Sequence, residues 1–569
     1  MRYLAVVTDY DGVLAQDGRP SSTAIAAIGR LRASGRRVVL ITGRRLEDLQ
    51  AVFPQLDLFD CVVAENGAVI YEPATRRETS LAKPPPPQFV QRLKELGVEP
   101  LEVGRVIVAT WLPHHTTVVQ VIQEMGLELH VAFNRAAVMV LPAGINKATG
   151  MDFALRKLGL SRHEVVGVGD SENDHSFLER SECPATVANA VPSILQAANL
   201  VTKASNGDGF AELVDELIGN DLCRMQAHLP QHLVTIGRRE DGTEVTVPPY
   251  GLNILIAGPS GSGKSTVAAG IVERLMGQEY QLCIVDPEGD YGTLPDVVTI
   301  GNQNHPVTVG EVLALLEDPK ITLNVNLLGI PLADRPELFG QLFPSLQSIR
   351  TRTGRPHWIV LDEAHHMLPG DWAHSGRTLP QSLGETVLVT VHPDHLATRV
   401  LRLVDVVIVV GPGPQKTIQK FADAIGRPLD WPEGLTNAQN SAVVWFPPKN
   451  EPPYSIQIIP GTAERIRHHR KYAEGNMRHR SFFFRGPGNR QNIRAQNLAL
   501  FTQIADGVDD ETWMHHLRRG DYSRWFRGSV KDAYMADQAE QIERRKDLHP
   551  AESRRLIRSL VEARYTLPD

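Results

Sequence analysis

Residues 4–12, Leu4-Ala5-Val6-Val7-Thr8-Asp9-Tyr10-Asp11-Gly12, read as a short apolar strand that ends in two carboxylates and a glycine turn. Further strands of the same kind, RVVLIT ending at Thr42 and VVGVGD ending at Asp170, alternate with amphipathic helical segments as far as about Asn220. Strand–helix alternation reads as a mostly parallel sheet covered by helices. Open α/β sheets place their ligands at the carboxyl ends of the strands, where Asp9 and Asp11 fall. One carboxylate can attack a phosphorus centre while the other gives a proton to the leaving oxygen. Thr42, followed by Gly43-Arg44, offers a hydroxyl and backbone amides to a phosphoryl group. Lys147, in PAGINKATG, offers a cation to neutralise transferring charge. The run Asp170-Ser171-Glu172-Asn173-Asp174 is an oxygen-rich loop suited to Mg²⁺. A proline run, Pro84 to Pro87, reads as a rigid extended link where an inserted subdomain would leave the main sheet.

In type and order these four pieces resemble the motifs of the haloacid dehalogenase superfamily of phosphatases, across residues 1–220. Ala64-Glu65-Asn66-Gly67-Ala68 and Asn206-Gly207-Asp208-Gly209-Phe210 are similar to the Cof-type branch, which inserts an αβ cap between its second and third motifs; residues 83–141 are available for it. The resemblance implies Asp9 as nucleophile, through an aspartyl-phosphate, and Asp11 as general acid/base. It implies that Thr42 and Lys147 hold the phosphoryl group. Mg²⁺ would be bound by Asp9, the Asp11 carbonyl and Asp170, with Asn173 and Asp174 in support. The implied substrate is a sugar phosphate or another small phosphorylated metabolite. Val13 stands where the family often has Thr, which removes a hydroxyl but no reacting group. His114-His115 in the cap reads as a solvated pair.

A second α/β stretch carries the strands NILIAG, LCIVD, WIVLDE, VLVTV and VVIVVG. Between the first of these and a helical segment lies Gly258-Pro259-Ser260-Gly261-Ser262-Gly263-Lys264-Ser265, a full GxxxxGK[ST] phosphate loop. Backbone N–H groups around Gly258, Gly261 and Gly263 and at the helix start (Ser265, Thr266) would cradle the phosphates of ATP. Lys264 would reach the terminal phosphates, and Ser265 would hold Mg²⁺. Asp362-Glu363 ends an apolar strand; Asp362 would hold Mg²⁺ through water and Glu363 would polarise the attacking water. Asp362-Glu363-Ala364-His365 also spells the box of one RNA-helicase class. Asp286-Pro287-Glu288-Gly289-Asp290-Tyr291, however, resembles the DPxGEY signature of HerA-like ATPases, kin of the FtsK motors, and Thr390-Val391-His392-Pro393 sits at their sensor position. The resemblance covers residues 228–460, departs in having Asn253 where relatives often have His, and treats 232–247 as a remnant of a small barrel. It implies a homo-oligomer, a hexameric ring, completed by an arginine from a neighbour, with Arg399 and Arg402 as candidates.

At 569 residues the chain exceeds one hydrophobic core, so several domains are expected. The sequence therefore divides into 1–220, 228–460 and a mainly helical 475–569. In that last part Asp509, Asp521 and Pro550 signal helix starts. Residues 461–569 hold 21 Lys+Arg against 15 Asp+Glu, a charge of +6 within a chain of net −7. Aromatics among those arginines (Phe482–Phe484, Trp513, Trp525, Phe526) could stack on nucleic-acid bases; their near-helical spacing favours the core of a small helical domain. Four scattered cysteines, Cys61, Cys183, Cys223 and Cys283, argue against a disulfide scaffold or structural zinc. With no secretory signal and no membrane-spanning run, a cytoplasmic location without membrane contact is expected.

Overall fold

The computed structural model describes residues 2–565 apart from 223–231, 260–261, 293, 303, 371–380, 436–439, 450, 462–476, 478–479 and 531. Cys223 and Gly261 lie outside the described residues. The chain divides into two compact units, Met1–Gly292 with Val297–Ile458, and Thr293–Asp296 with Ile459–Asp569.

The first unit contains two large sheets. The first runs Leu200–Val201, Cys183–Thr186, Val165–Gly169, Ala5–Asp9, Arg37–Ile41, Cys61–Ala64, Val69–Glu72, Arg77–Ser80. Its first six strands are parallel and its last two antiparallel. Every residue of Ala5–Asp9 is buried, so the strand is apolar on both faces, as a sheet covered on both sides requires. A four-stranded antiparallel sheet, in the order Leu129–Asn134, Ala137–Pro142, Val108–Trp111, Glu102–Val103, is inserted after Ser80. It carries the helices Pro87–Glu95 and His115–Glu124, and Phe89, Leu93, Val118, Val121 and Val140 form its core. The proline run is extended only to Pro86. Pro87 opens a helix instead of continuing the link, because its missing N–H is needed by no partner in the first turn.

The second sheet has eleven strands, in the order Glu244–Val247, Val234–Arg238, Tyr454–Gln457, Ser441–Trp445, Val406–Val410, Ile254–Ala257, Thr386–Thr390, Trp358–Leu361, Leu282–Asp286, Thr322–Asn326, Val297–Ile300. The seven from Val406–Val410 onward are parallel. The short strands read within 232–247 are present. Val234–Arg238 and Glu244–Val247 are a hairpin that joins the main sheet through Gln457 and lengthens it. Four strands, Val297–Ile300, Thr322–Asn326, Ser441–Trp445 and Tyr454–Gln457, complete the sheet beyond the five apolar runs.

In the second unit, helices Leu498–Gly507, Asp510–Arg518, Asp521–Trp525, Ala533–Arg544 and Pro550–Tyr565 surround the hairpin Phe482–Phe484/Ile493–Ala495. Asp509 caps its helix by accepting the N–H of Thr512. Phe482, Phe484, Phe501, Trp513, Tyr522, Trp525 and Phe526 are buried against one another, with Trp513 and Tyr522 stacked 4.5 Å apart. These rings are core, and their faces are not open to bases.

Within the first unit the two sheets meet through the amino ends of their strands. His163 stacks on Tyr280 at 3.8 Å, and its ring nitrogens meet the Glu182 carboxylate (2.7 Å) and the Gln278 carbonyl (2.8 Å). Arg2 donates to the same Glu182 (2.6 Å) and lies 3.5 Å over the Tyr250 ring. Burial opposes ionisation of Glu182, but the His163 hydrogen bond and the charge of Arg2 bring its carboxyl down to about 2. Glu164 accepts from His357 Nε2 (3.1 Å) and from the Ser161 N–H (2.6 Å), and forms an ion pair with Arg355 Nε (3.3 Å). Burial nonetheless pushes the Glu164 carboxyl up to about 8, against the pull of Arg355. A free glutamate titrates near about 4.3, so the folded state binds this proton more tightly than the unfolded chain. The stability it confers is full below that value and is lost as pH rises through about 8. Urea midpoints measured from pH 5 to 8 should fall for the wild type. The fall should be shallower in Glu164→Gln, which cannot ionise.

Candidate functional site

Pairing in parallel register sets Thr8 beside Val168 and Asp9 beside Ile41, so Asp9, Thr42 and Asp170 emerge side by side. Lys147, the first residue of helix Lys147–Leu158, is fully buried beneath them. Its Nζ donates to Asp9 Oδ1 at 2.8 Å and to Asp174 Oδ1 at 2.5 Å. The other Asp174 oxygen accepts the N–H groups of Asp170 (2.8 Å) and Ser171 (2.9 Å), so Asp174 shapes the acidic loop as well as anchoring the lysine. Carboxylate oxygens of Asp9, Asp170 and Asp174 lie within 4.8 Å of one another. Burial, then Asp174 and Asp170, raise the Asp9 carboxyl well above its usual range, with Lys147 opposing. Burial and Asp174 push Asp170 up to about 6. Lys147 is held charged: burial works against the ammonium, but Asp174 and Asp9 outweigh it.

Asp170 Oδ1 accepts no hydrogen bond although it is buried. A cluster of carboxylates with an oxygen left over fits a hard divalent cation such as Mg²⁺. Asn173 donates to Asn66 Oδ1 (2.9 Å), which joins the loop to the Ala64-Glu65-Asn66-Gly67 turn. Thr42 is buried, and its hydroxyl oxygen accepts the N–H of Arg44 (3.1 Å). Asp11 is partly exposed and held in a two-point pair by Arg44 (2.6 and 2.7 Å).

Three residues at this site escape sequence reasoning. Arg44 is visible only as the neighbour of Thr42. Arg135, on the turn between Leu129–Asn134 and Ala137–Pro142, reaches back to Asp170 Oδ2 at 2.8 Å. Glu65 is fully buried and accepts the N–H groups of Arg105 (2.8 Å), Val106 (2.8 Å) and Ile107 (2.9 Å), fastening the inserted sheet to the main one. The tetrapeptide Ala64–Gly67 was the available signal for Glu65; nothing in the sequence marks Arg135. In the inserted sheet, His114 Nε2 meets the Glu99 carbonyl at 3.0 Å.

At the second site, Lys264 opens helix Lys264–Gly277 behind the left-handed Gly263 and is buried, its Nζ 3.2 Å from the Pro259 carbonyl. A Cβ on Gly258 would sit 2.2 Å from the Val410 carbonyl, so the loop has to pass that strand as glycine. Ser265 and Thr266 are half-buried in the first helical turn. Burial lowers the Lys264 ammonium, opposed by Glu363, Asp362 and Glu288. Asp362 is buried and raised well above the carboxylate range by burial, Asp286 and Glu363. Glu363 Oε2 accepts no hydrogen bond, its neighbour being His365 Nδ1 at 3.5 Å. Asp286 binds its own loop: it accepts the N–H groups of Glu288 (3.2 Å), Gly289 (2.7 Å), Asp290 (3.0 Å) and Tyr291 (2.9 Å). The strand ending in Thr390 lies between the strands that lead to Lys264 and Asp362. Arg399 and Arg402 are exposed on and just after the short helix Thr398–Leu401.

The family model for haloacid dehalogenase-like hydrolases matches residues 6–103 and 118–214. A phosphoglycolate phosphatase of Haloarcula marismortui is 31% identical over 225 residues, 37% of this chain and 95% of that protein. The chain belongs to the haloacid dehalogenase-like hydrolases. A phosphoglycolate phosphatase of Methanothermobacter thermautotrophicus is 27% identical over 222 residues, 38% of this chain and 99% of that protein. A solved haloacid dehalogenase-like hydrolase from Bacteroides thetaiotaomicron is 19% identical, with a TM-score of 0.34 over 38% of this chain and all of that one. In this hydrolase the haloacid dehalogenase-like part is fused to a second: the family model for the central domain of helicase HerA matches residues 241–337. That match takes in the phosphate loop and the Asp286 loop and ends before Asp362. Among the described residues, no helix is long and apolar enough to cross a membrane.

Gly12 tests how tightly the first site is built. Its φ is +80°, and an added Cβ would lie 2.1 Å from Asp170 Oδ2. Gly35 has a similar φ of +87° with nothing within 4 Å. Gly35→Ala should cost about 1–2 kcal/mol, the penalty of the left-handed conformation alone. Gly12→Ala should cost clearly more in the same urea titration, because the Asp170 carboxylate must move as well.

Proposed function

We propose that the chain is a bifunctional hydrolase, a Mg²⁺-dependent phosphomonoester phosphatase joined to an ATP-hydrolysing HerA-like module. We assign the phosphatase with its cap to residues 1–220 (cap 83–141), the ATPase to 228–460 and a helical domain to 475–569. The observation that carries the reading is the buried Lys147, which bridges Asp9 and Asp174 beside an Asp170 oxygen with no partner.

In this reading Asp9 attacks the phosphorus in line with the leaving oxygen and becomes an aspartyl-phosphate. Lys147 fixes the rotamer of Asp9, leaves its second oxygen to react, and with the Thr42 hydroxyl holds the phosphoryl oxygens. Asp11 protonates the leaving oxygen and then takes a proton from the water that hydrolyses the intermediate. Arg44 keeps the Asp11 carboxyl in place on the solvent side. Asp9, the Asp11 carbonyl and Asp170 would hold Mg²⁺, with Asn173 and Asp174 supporting the loop. The bound cation supplies positive charge that keeps the buried carboxylates ionised and offsets charge on the phosphoryl group.

The named relatives act on phosphoglycolate, a small phosphomonoester with a carboxylate. Arg135 supports a substrate of that kind, since a guanidinium pairs with a carboxylate at two points. In the second module Lys264, Ser265 and Thr266 would bind ATP, Asp362 its Mg²⁺, and Glu363 the attacking water. Exposed Arg399 or Arg402 would complete that site in a neighbouring subunit of a homo-oligomer, a hexameric ring in the cytoplasm.

With 2-phosphoglycolate and Mg²⁺, the wild type should release phosphate and Asp9→Asn should not. Asp11→Asn should lower kcat by roughly 10²–10⁴-fold. Phosphate release by Asp9→Asn at the wild-type rate would overturn the assignment. ATP hydrolysis should be lost in Lys264→Ala and in Glu363→Gln while phosphomonoester hydrolysis persists. Light scattering with ATP should show a ring. A monomer whose ATP turnover per chain is independent of concentration would remove the shared site.

A further inference from the structure

The turn that follows Thr390 reads His392-Pro393-Asp394-His395. All three polar side chains are exposed, and one ligand atom from each lies within 4.8 Å of the other two. The two imidazoles face each other, 4.6 Å apart and 30° from parallel. We propose that His392, Asp394 and His395 bind a divalent transition-metal ion of the zinc class, separately from either Mg²⁺ site.

The donor set selects the ion. Two imidazole nitrogens and a carboxylate suit Zn²⁺ and its neighbours, whereas Mg²⁺ and Ca²⁺ prefer oxygen alone. Tetrahedral Zn²⁺ at about 2.0–2.2 Å from each donor separates them by roughly 3.3–3.6 Å. Side-chain rotation of exposed residues closes that gap without moving the backbone.

The backbone is already held. Pro393 is buried and fixes φ, the His395 N–H returns to the His392 carbonyl (3.1 Å), and the His395 carbonyl accepts the Gly370 N–H (2.8 Å). One group competes for the site: Lys420 Nζ lies 2.8 Å from Asp394 Oδ2. A bound ion would take the other carboxylate oxygen or displace this ammonium.

The turn also leads inward. Thr390 Oγ1 accepts the His392 N–H (3.2 Å) and meets His365 Nδ1 (3.1 Å), which is in turn 3.5 Å from Glu363. An ion at His392 therefore sits at the outer end of a polar chain that ends on Glu363.

The test is calorimetric titration of the full, untagged chain with Zn²⁺ in excess Mg²⁺, which occupies the oxygen-rich sites. The expected result is one Zn²⁺ per chain. The double variant His392→Ala/His395→Ala should bind at least about tenfold more weakly, since even an outer partner of a metal ligand is worth roughly 10–100-fold. Lys420→Met should bind more tightly, because the rival cation is gone. Absence of Zn²⁺ binding in the wild type, or unchanged affinity in a double variant whose circular dichroism matches the wild type, would overturn the site. Neither result depends on whether the chain hydrolyses ATP.

Discussion

Parallel pairing in register is the constraint on which both sites depend. It releases neighbouring strands at one edge, so residues far apart in sequence emerge together there. Asp9, Thr42 and Asp170 come from three adjacent strands of the first sheet, and Asp286, Asp362 and Thr390 end adjacent strands of the second. A shift of one residue between Ala5–Asp9 and Val165–Gly169 would move Asp170 a full residue along the edge, about 3.3 Å from its place beside Asp9. Buried, uninterrupted apolar strands resist that slip, which is why the chemistry needs so large a hydrophobic frame.

Such edges concentrate charge. Lys147 balances part of the charge at the first site, and removing it would strand two buried carboxylates, Asp9 and Asp174. The second site has a similar imbalance, with Asp286, Glu288, Asp290, Asp362 and Glu363 around the ammonium of Lys264. Both arrangements are stable answers to a cation or a phosphate arriving from outside, and costly ones without it.

The carboxyl ends of these strands were legible because each announces itself locally: an apolar run, then Asp, Thr or a glycine loop. The phosphate loop and the paired aspartates need no partner to be seen. Elements defined by long-range pairing were not legible. Val234–Arg238 and Glu244–Val247 were readable as short strands, but nothing in 232–247 reveals that Arg238 will pair with Gln457. Pro87 read as linker because a proline run signals extension until the first helical turn after it is known. Arg135 carries no motif at all; it reaches Asp170 only through the fold of a hairpin that reverses at that residue. The aromatic helical tail was readable as core from spacing alone, since Phe501 and Trp513 bury on periodic faces.

The seam between the two sheets is made of groups that tolerate no casual change of partner. Glu164 and Glu182 come from one sheet, Arg355, His357 and Tyr280 from the other, and all are buried. Once such a seam exists, losing either gene segment leaves the survivor with unpaired charges and rings on what had been an interior. A joining of two such domains is thereby hard to undo, because each half has become part of the other's fold.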